Sequence, residues 1–546
     1  MDIKLQDILN DSRRVDIDEH RYERHSLVNG STIITKAVII AAGNGSRLNG
    51  YQNNCPKPLV KVGGVSLLER VILSAKKSGV EEFVIVIGYQ AAKIRETISA
   101  RKLGVKITWV HNDEWKRQNG VSVLKAEKFV DGKFFLFMSD HVFDTKILQA
   151  ANQCHLNGHS GLLCIDHEIH RVHDLDDATK VYSENNRLQN LGKSLPAFNA
   201  IDTGIFVCTP DLFDALRQSQ QAGDESLSGG IRMLAREGKM ATHDIGDARW
   251  QDVDTVSDVR LAEKLLLHST RSKNDGIIAR KINRPISNAI TKWLLKSPIT
   301  PNQISTLNLL FSVFTAWFLA AGKPLHTILG GVFFQLASIF DGCDGEVAVI
   351  KHKASKAGAL FDTIADHLSY IAFIIGVTIG TYNTTQNKLV FAVTGGIILF
   401  LLFALRFGFQ YINKKDSGSF KDLDCAIAAQ NHQKQQVWYL KFFGAIHHIG
   451  RRDMFSFLSF LIMLSGNIVI YYWLMITAIF LMSAGISLSA ASMLSKTGDF
   501  QPLCYLKRMV AAIRNWVANS SLEQHPNKEV FAESTNSEAT IRSVEC

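Results

Sequence analysis

The C-terminal half of the chain holds more apolar segments than a soluble domain of this size can bury. From Ile304 onward, six of them follow one another: residues 304–321, 326–340, 359–381, 389–412, 454–467 and 468–494. Several approach the roughly 20 residues that a helix needs to cross a bilayer, and two are shorter. Because backbone in lipid must satisfy its own hydrogen bonds, this pattern predicts an all-α, six-helix transmembrane domain over residues 304–496.

Lysine and arginine residues gather in alternate loops of this region. The opposite loops carry little beyond Lys323 and Lys388. The basic loop residues are Arg280, Lys281, Arg284, Lys292, Lys296, Lys351, Lys353, Lys356, Arg406, Lys414, Lys415, Lys421, Arg451, Arg452, Lys496, Lys507 and Arg508. By the positive-inside rule, a multi-pass protein of the cytoplasmic membrane is predicted, with both termini and the N-terminal half in the cytoplasm.

The rest of the chain divides into regions of different character. Residues 35–267 alternate short β-rich runs such as "AVIIAA" with helical patterns such as "SLLERVILSAKKSG". This is typical of a Rossmann-like α/β domain with a mostly parallel sheet. Residues 268–303 are a charged connector and a basic amphipathic stretch, predicted to be a helix in the membrane interface or an ordinary surface helix. Residues 1–34 are a polar extension without the apolar core of a signal peptide, and residues 497–546 a polar tail predicted to be disordered.

Composition argues against a nucleic-acid partner and against a zinc site or a disulfide framework. The net charge of +9 is not arranged as a basic stripe interleaved with aromatic residues, so no nucleic-acid partner is expected. The eight cysteines are scattered and form no CxxC pair, so neither a zinc site nor a disulfide framework is indicated.

A glycine-rich loop, "AAGNGSRL", follows the first predicted strand. Gly43 and Gly45 allow a tight turn and a close approach of backbone amides to phosphate. Arg47 and, in "CPKPLVKVGG", Lys57 add the positive charge that a triphosphate and its pyrophosphate leaving group require. The alternative, a plain strand–turn–helix with incidental basic residues, does not explain both cations.

Two carboxylate positions complete this first site. Asp140 ends the apolar run "FFLFMSD", at the edge of the sheet where α/β folds place ligands. Asp252 lies in "WQDVDT" with Asp254 two residues on, which along a strand is the same face. Each aspartate alone is more often a turn or cap residue, but the set is typical of a Mg²⁺ site that also takes phosphate oxygens.

This half resembles the sugar-phosphate nucleotidyltransferases, and most closely their CDP-alcohol-forming branch, typified by inositol-1-phosphate cytidylyltransferase. The segments "AAGNGSRL", "PKPL", "HNDEWKRQNGVSVLKA", "MSDH", "LGKSLPAFNAIDTGIF" and "WQDVDT" carry the resemblance, in family order across nearly the whole domain. It implies that the triphosphate is bound by Gly43, Gly45, Ser46, Arg47 and Lys57, that the base and ribose lie near Asn119, Gly120 and Ser122, that Mg²⁺ is held by Asp140 and Asp252, and that the acceptor contacts Lys193 and Asp202.

A second site is indicated by four carboxylates inside the apolar half. Asp341 and Asp344 are three residues apart, and Asp362 and Asp366 are four apart, so each pair shares one face of a helix. The short connection between the pairs predicts neighbouring antiparallel helices. Four carboxylates at one depth repel one another unless divalent cations bind, and two metals bridging phosphate oxygens are common in phosphoryl transfer. The alternative is a surface loop with solvated acids, which the regular spacing and the interspersed glycines disfavour.

The spacing D-x2-D-G-x2-A-x9-G-x3-D-x3-D resembles the signature of the CDP-alcohol phosphotransferases, which displace CMP from a CDP-alcohol with an acceptor hydroxyl. The resemblance implies metal ligation by Asp341, Asp344 and Asp362, with Asp366 as ligand or general base, and close nucleotide packing on Gly345, Ala348 and Gly358. The family usually has arginine after the alanine, where this chain has Val349. Lys351, His352 and Lys353 are the candidate replacements.

Two further cues belong to the same half. "SPITPNQIS" and "INRPIS" resemble the start of the membrane domain of di-myo-inositol phosphate phosphate synthases. "GRRD" places Arg451 and Arg452 at a predicted cytoplasmic helix start, either to bind an acceptor phosphate or as a positive-inside anchor.

Together the resemblances imply a bifunctional enzyme using Mg²⁺ or Mn²⁺ in both sites. A cytidylyltransferase would make CDP-inositol from CTP and inositol 1-phosphate. A CDP-alcohol phosphotransferase would pass the inositol phosphate group to an acceptor alcohol, inositol 1-phosphate or a lipid, and release CMP. The expected partners are CTP, a polyol phosphate, a CDP-alcohol, the lipid bilayer and a second copy of the chain.

Three alternatives remain open from the sequence. Another polyol phosphate can replace inositol 1-phosphate. Val349 motivates a chain in which only the soluble domain is active and the membrane half is an anchor. A transporter with a regulatory nucleotide domain predicts paired, broken helices, and the sequence has no internal repeat.

Overall fold

The structure, a computed structural model, describes residues 33–48, 51–52, 55–271, 275–414 and 452–495. The polar extension before residue 33, the C-terminal tail and Arg451 lie outside this part of the chain. The described residues form two compact units. The first contains residues up to Phe318 together with Leu329–Ile375, and the second contains Leu319–Ile328 and the residues from Gly376 onward.

The strands belong to the first unit. They are β1 (Lys36–Ala41), β2 (Lys61–Val62), β3 (Val65–Ser66), β4 (Glu82–Ile87), β5 (Lys106–His111), β6 (Phe134–Met138), β7 (His141–Phe143), β8 (Gly161–Asp166), β9 (Lys180–Glu184), β10 (Arg187–Gly192), β11 (Ala200–Cys208), β12 (Met240–Asp244) and β13 (Trp250–Asp252). Nine of them form one sheet in the order β5-β4-β1-β6-β11-β8-β12-β10-β9, and β13–β7 and β2–β3 form two small ribbons.

The α-helices run through both units. They are α1 (Leu67–Lys77), α2 (Ala91–Ser99), α3 (Asn119–Leu124), α4 (Thr145–Gln153), α5 (Asp211–Gln221), α6 (Leu227–Arg236), α7 (Val256–Ser269), α8 (Arg284–Leu294), α9 (Pro301–Ala320), α10 (Pro324–Ile350), α11 (Lys356–Thr385), α12 (Leu389–Lys414), α13 (Arg452–Met463) and α14 (Ile468–Ser495).

The large sheet is mixed, not mostly parallel as the sequence suggested. Strands β5, β4, β1 and β6 are parallel neighbours, as βαβ units require. Strand β11 then runs antiparallel to both β6 and β8. It follows the β9–β10 hairpin, whose turn residues Asn185 and Asn186 both have positive φ, of 52° and 58°. The hairpin reverses the chain, so β11 returns in the opposite direction.

Both faces of the sheet are covered. On β1, Ala37, Ile39 and Ala41 pack into one buried cluster, and Val38 and Ile40 pack into another. This explains why the central strands are continuous apolar runs without polar alternation.

A third apolar cluster joins the sheet domain to the helices that follow it within the first unit. The cluster contains Val62 of β2 and Leu67 of α1. It also contains Leu294 of α8 and Val347 and Ile350 of α10. The end of α10 is therefore packed against the nucleotidyltransferase-like half of the chain.

The amphipathic stretch predicted from the sequence is helical, with a π-helical turn at Ala279–Asn283 leading into α8. Ser287 and Thr291 are buried, whereas Ile286 and Trp293 are exposed, Trp293 by 69%. Although Leu294 at the end of the helix is buried, the exposure of Ile286 and Trp293 favours the membrane interface over the surface-helix alternative.

Helices occur at all six predicted apolar segments, but they differ in length. Judged by length and composition alone, α9, α10 and α11 can cross a membrane, whereas the described apolar parts of α12, α13 and α14 are shorter. The prediction of six spans is thus supported for three helices. Helix α10 also continues to Ile350, beyond the predicted end at residue 340, and carries Asp341 and Asp344 on its last turns.

The second unit is held by close backbone contacts and by shared hydroxyl groups. A side chain at Gly380 would collide with the Leu319 carbonyl, so these helices approach closely. The Tyr472 hydroxyl lies 2.9 Å from the Val390 carbonyl, to which it donates. The Tyr471 hydroxyl is 2.8 Å from Ser459 Oγ. These two tyrosine hydroxyls therefore have hydrogen-bond partners, as an apolar environment requires.

Candidate active sites

The first candidate site lies in the sheet domain, where the Lys57 side chain packs against the glycine-rich loop. Gly45 has φ of +57°, and a side chain there would collide with the Lys57 side chain. Gly43 faces open space, with no heavy atom within 4 Å of an added Cβ. Ser46 and Arg47 begin the short 3₁₀ helix Ser46–Leu48 that follows. The loop is therefore open on one side and closed by Lys57 on the other, as a phosphate cradle needs.

Lys57 lies between two carboxylates. Its ammonium group contacts both Asp140 and Asp254 at short range. Burial alone would lower the pKa of Lys57, but the two negative charges outweigh it and raise that pKa. Burial likewise works against ionised Asp140, and the charges of Lys57 and His141, whose Nδ1 is 2.7 Å from Asp140 Oδ1, hold its pKa well below the usual range. The lysine and Asp140 therefore both remain charged.

The charged chain continues through Arg47. Arg47 Nη1 is 2.7 Å from Asp177 Oδ2, and its Nη2 is 3.1 Å from Asp254 Oδ2. Lys193 also contacts Asp177. Hydrogen bonds from Lys193 and Arg47 lower the pKa of Asp177 to about 2. The cations predicted to bind phosphates are thus paired with carboxylates. Incoming phosphate oxygens can replace those carboxylates as the partners of Arg47 and Lys193.

A cavity of about 180 Å³ lies beside this chain of charges. Arg47, Asn119, Lys193, Asp202 and Asp252 all line it. Residues predicted to bind the nucleotide, the acceptor and the metal therefore meet at one place. Burial raises the pKa of Asp202 to about 6, opposed by the Gly204 amide, which donates to it at 2.8 Å, and by the positive charge of His141.

The β7–β13 ribbon places the two predicted metal ligands side by side. Asp252 pairs with His141 across the ribbon, and the Val253 amide donates to the Asp140 carbonyl at 3.1 Å. Burial raises the pKa of Asp252. A half-buried carboxylate beside Asp140 that lines a cavity fits a divalent cation. Asp254 lies past the end of β13, and its carboxylate pairs with Lys57 and Arg47.

Gly120 and Ser122 are not brought to this cavity. A side chain at Gly120 would collide with the carbonyl of Glu225, so this glycine permits close packing of α3. Ser122 is buried and accepts a hydrogen bond from Asn112 Nδ2 at 2.9 Å. Their predicted nucleotide contacts remain predictions, while Asn119 of the same segment does line the cavity.

The second site lies where α10 and α11 meet within the first unit. One carboxylate oxygen from each of Asp341, Asp362 and Asp366 lies within 4.8 Å of the others. Carboxylates from both helices therefore meet, as their spacing in the sequence predicted. Three converging carboxylates are a donor set that fits Mg²⁺ or Mn²⁺. Asp344 accepts a hydrogen bond from Ser305 Oγ at 2.5 Å.

Helix α9 adds polar side chains that the sequence reasoning missed. Asn308 Nδ2 donates to Asp341 Oδ1 at 3.4 Å, and Ser305 lies one turn earlier. Asn308 is buried, and its Oδ1 has no hydrogen-bond partner among the described residues. Two polar residues one turn apart at the start of an apolar helix were the available signal. Asp177 was missed as well, and no spacing pattern marked it.

Two candidate replacements for the absent arginine have other partners. Lys351 Nζ donates to the carbonyls of Leu294, Ser297 and Ile299, at 3.3, 2.7 and 3.2 Å. His352 Nε2 is 3.2 Å from Arg70 Nη1. Lys353 is exposed, as is Val349 at 46%.

The small residues of the motif differ in their surroundings. Gly345 has no heavy atom within 4 Å of an added Cβ, so it leaves open space on α10, and Ala348 is half-buried one turn later. An added Cβ at Gly358 would lie 3.4 Å from Asn302 Oδ1. Arg452 begins α13, but its side chain lies outside the described part of the chain.

Comparison with known proteins gives matches for both halves. Residues 37–237 match the family described as MobA-like NTP transferase domain, and residues 298–482 match the CDP-alcohol phosphatidyltransferases. A solved structure of the inositol-1-phosphate CTP transferase from T. maritima is 26% identical, with a TM-score of 0.40, and the match covers 43% of this chain and 97% of that one.

Two relatives match across both halves. A protein of Rubrobacter xylanophilus named bifunctional IPC transferase and DIPP synthase is 36% identical over 349 residues, covering 63% of this chain and 77% of that protein. A protein of the same name from Archaeoglobus fulgidus is 33% identical over 371 residues, covering 68% and 71% respectively. With both sites on one chain and this coverage, the chain belongs to the family of the bifunctional IPC transferases and DIPP synthases.

Proposed function

We propose that this enzyme makes CDP-inositol from CTP and inositol 1-phosphate and then consumes it. In the second step the inositol phosphate group passes to a second inositol 1-phosphate, and CMP is released. The observation that carries the proposal is the presence, on one chain, of a cation–carboxylate site in the sheet domain and a converging carboxylate site between two apolar helices.

The first step is an in-line displacement. A phosphate oxygen of inositol 1-phosphate attacks the α-phosphorus of CTP, and the bond to the pyrophosphate oxygen breaks. Arg47 and Lys57 neutralise the triphosphate charge as they exchange their carboxylate partners for phosphate oxygens. Lys193 and Asp202 hold the acceptor phosphate and hydroxyls across the cavity.

The second step displaces CMP. An acceptor hydroxyl attacks the inositol-bearing phosphorus of CDP-inositol, the bond to the CMP oxygen breaks, and CMP leaves with that electron pair. Asp366 takes the hydroxyl proton, and Asp341 and Asp362 complete the metal site with it. A divalent cation bound in either site, Mg²⁺ or Mn²⁺, would neutralise charge on the phosphate oxygens.

The proposed location is the cytoplasmic membrane, with the sheet domain on the cytoplasmic side and the membrane helices paired in a homodimer. The distribution of basic loop residues supports this orientation. A lipid acceptor is the second candidate for step two, because Val349 of α10 and Leu360 and Ile364 of α11 are exposed apolar residues of the motif region at the predicted bilayer surface.

The test uses the detergent-solubilised full chain with CTP, Mg²⁺ and inositol 1-phosphate, followed by phosphorus NMR. The expected sequence is a pyrophosphate diester that gives way to a phosphodiester and CMP. In Asp366→Asn the diester should accumulate, whereas Asp214→Asn, a carboxylate exposed on α5, should behave as the unaltered protein.

Each contrary outcome identifies the wrong step. Unaltered CMP release in Asp366→Asn would remove that residue from the second site. A diester that persists in the unaltered protein would point to another acceptor, which added lipid alcohols would identify. No diester at all would mean that inositol 1-phosphate is not the first substrate.

A further inference from the structure

A second large cavity of the first unit belongs to neither catalytic site. It measures about 550 Å³ and lies between α1, α4 and α7 of the sheet domain and the last turn of α10. Arg70, Lys146, Arg249, Arg271 and His352 are among its lining residues. None of these residues has a place in the two reactions proposed above.

The charge of this cavity is unbalanced. Six lysine and arginine side chains line it, against two carboxylates, Asp144 and Asp247. Within the described chain, Lys77, Lys146, Arg249 and Arg271 form no ion pair. Asp144 is already used, since its Oδ1 accepts from the Lys146 amide at 3.1 Å as the cap of α4. Arg171 pairs with Glu168 at 3.7 Å, so the unbalanced charge comes from the other cations of the described cavity.

The deepest cation is Arg70, which is only 2% exposed. Its Nη1 donates to the Ile350 carbonyl at 2.9 Å and its Nη2 to the Val62 carbonyl at 2.7 Å. Its Nε has no partner among the described residues, and neither has Nδ1 of the adjoining His352. A buried guanidinium whose hydrogen-bond partners are all neutral, and which only the charge of the adjacent Glu69 offsets, is costly unless a further anion compensates it.

Burial and the positive charges of this cavity together lower the pKa values of two histidines beside them. Burial lowers the pKa of His352 to about 3, and the charges of Arg70 and Lys77 add to this shift. The pKa of His268 is lowered by burial and by Arg271 and Arg249. Both histidines therefore stay neutral, and the positive potential comes from the fixed charges of arginine and lysine.

We propose that this cavity binds a phosphate-bearing anion, held by Arg249, Arg271 and Lys146 over the buried guanidinium of Arg70. The ligand chemistry is a phosphate mono- or diester, because several guanidinium and ammonium groups converge without their own carboxylates. Two sources present such a group here: a free phosphorylated molecule in the cytoplasm and the headgroup of an anionic lipid. The bound anion would join the sheet domain to the end of the helix that carries Asp341 and Asp344.

The test locates binding by protection of amines, so it does not depend on turnover. Full-length protein is labelled briefly with acetic anhydride, and the labelling rates of Lys77 and Lys146 are read by peptide mass spectrometry. Lys102, an exposed lysine outside the cavity, is the internal reference. One arm adds inorganic phosphate to protein in detergent. The other compares nanodiscs of phosphatidylglycerol with nanodiscs of phosphatidylcholine.

At a ligand concentration twice the Kd, labelling of both cavity lysines should slow about threefold, with Lys102 unchanged. Arg249→Ala/Arg271→Ala should weaken protection by about tenfold or more in Kd, because two charged hydrogen-bond donors are lost. Arg187→Ala/Arg236→Ala, which removes two exposed arginines elsewhere on the sheet domain, should protect as the unaltered protein does.

The arms separate the two sources. Protection by inorganic phosphate assigns a free phosphorylated ligand, and protection only in phosphatidylglycerol discs assigns the lipid headgroup. Labelling of Lys77 and Lys146 that is unchanged in both arms overturns the proposal. Protection that survives in Arg249→Ala/Arg271→Ala does so as well.

Discussion

At the scale of single residues, the first site depends on cations that are already paired before substrate arrives. Lys57 lies between Asp140 and Asp254, and Arg47 joins Asp254 to Asp177. Such pairing keeps each side chain charged, so the proposed replacement of the carboxylates by phosphate oxygens would need little reorganisation.

Lys57→Ala should lower the rate of CDP-inositol formation by about 10²–10³-fold, because it removes a charged donor from the leaving group. Release of CMP from added CDP-inositol should be unchanged, since that reaction belongs to the second site. Lys61→Ala, which removes an exposed lysine of the same segment, is the control. Both steps are measured by separate product assays, and equal loss of both would contradict the assignment.

Asp202 predicts a pH dependence of the first step. With a pKa of about 6, the carboxylate is largely ionised at pH 7, where it would accept the proposed hydrogen bonds from acceptor hydroxyls, and it is largely protonated at pH 5. The KM for inositol 1-phosphate should therefore rise about tenfold over this range. The substrate phosphate titrates near pH 6 as well, so the Asp202→Asn profile gives the substrate contribution alone. Identical profiles for the two proteins would argue against Asp202.

The raised pKa of Asp202 also makes the free energy of unfolding depend on pH. Because the folded-state pKa is raised above the ordinary aspartate value, the folded state binds the proton more readily than the unfolded chain. The contribution of Asp202 to the free energy of unfolding therefore falls as pH rises from about 4 to 6.

At the scale of elements, the second site depends on three helices, although its spacing pattern occupies only two. Helix α9 presents Ser305 and Asn308 to the carboxylates of α10. A buried amide oxygen without a partner is available to orient a ligand there.

Asn308→Ala should therefore lower CMP release from CDP-inositol by about tenfold or more, through loss of a buried polar contact to Asp341. Formation of CDP-inositol should not change. Ser312→Ala, one turn further along α9, is the matched control, because among the described residues this hydroxyl bonds only to the Asn308 carbonyl. Equal activity of the two variants in the second step would exclude a role for the Asn308 side chain.

At the scale of the whole molecule, the first unit joins a sheet domain to the ends of apolar helices through a few buried contacts. Lys351 is one of them, since its ammonium group binds the last carbonyls of α8 and of the segment that follows. This is the favoured place for a cation, at the negative end of a helix.

Lys351→Met should lower the free energy of unfolding by about 1–3 kcal/mol, because it removes the ammonium group that donates to the buried Leu294 carbonyl and to the half-buried carbonyls of Ser297 and Ile299. Thermal unfolding in detergent measures the effect. Lys353→Met changes the exposed lysine two residues on and should be nearly neutral. A destabilisation shared by both variants would indicate a loss of surface charge instead of a lost cap.

The two-part architecture could be predicted from the sequence, because apolar composition and strand–helix alternation are local properties of the chain. The sequence also predicted that the glycine loop, Arg47 and Lys57 belong together, and that four aspartates lie at matching turns of neighbouring helices. Helical periodicity places such residues on one face without knowledge of the rest of the fold.

The distant residues that complete each site could not be predicted, because they meet only in the folded chain. Asp177 reaches Arg47 across 130 residues, and no periodicity relates the two positions. The direction of β11 depends on a hairpin turn and on its neighbours in the sheet, not on its own apolar pattern. Lys351 and His352 suit an active-site role by charge, yet the packing of α1 and α8 gives them other partners. Side-chain partners are set by the positions of elements in space, and those positions follow from the packing of the whole chain.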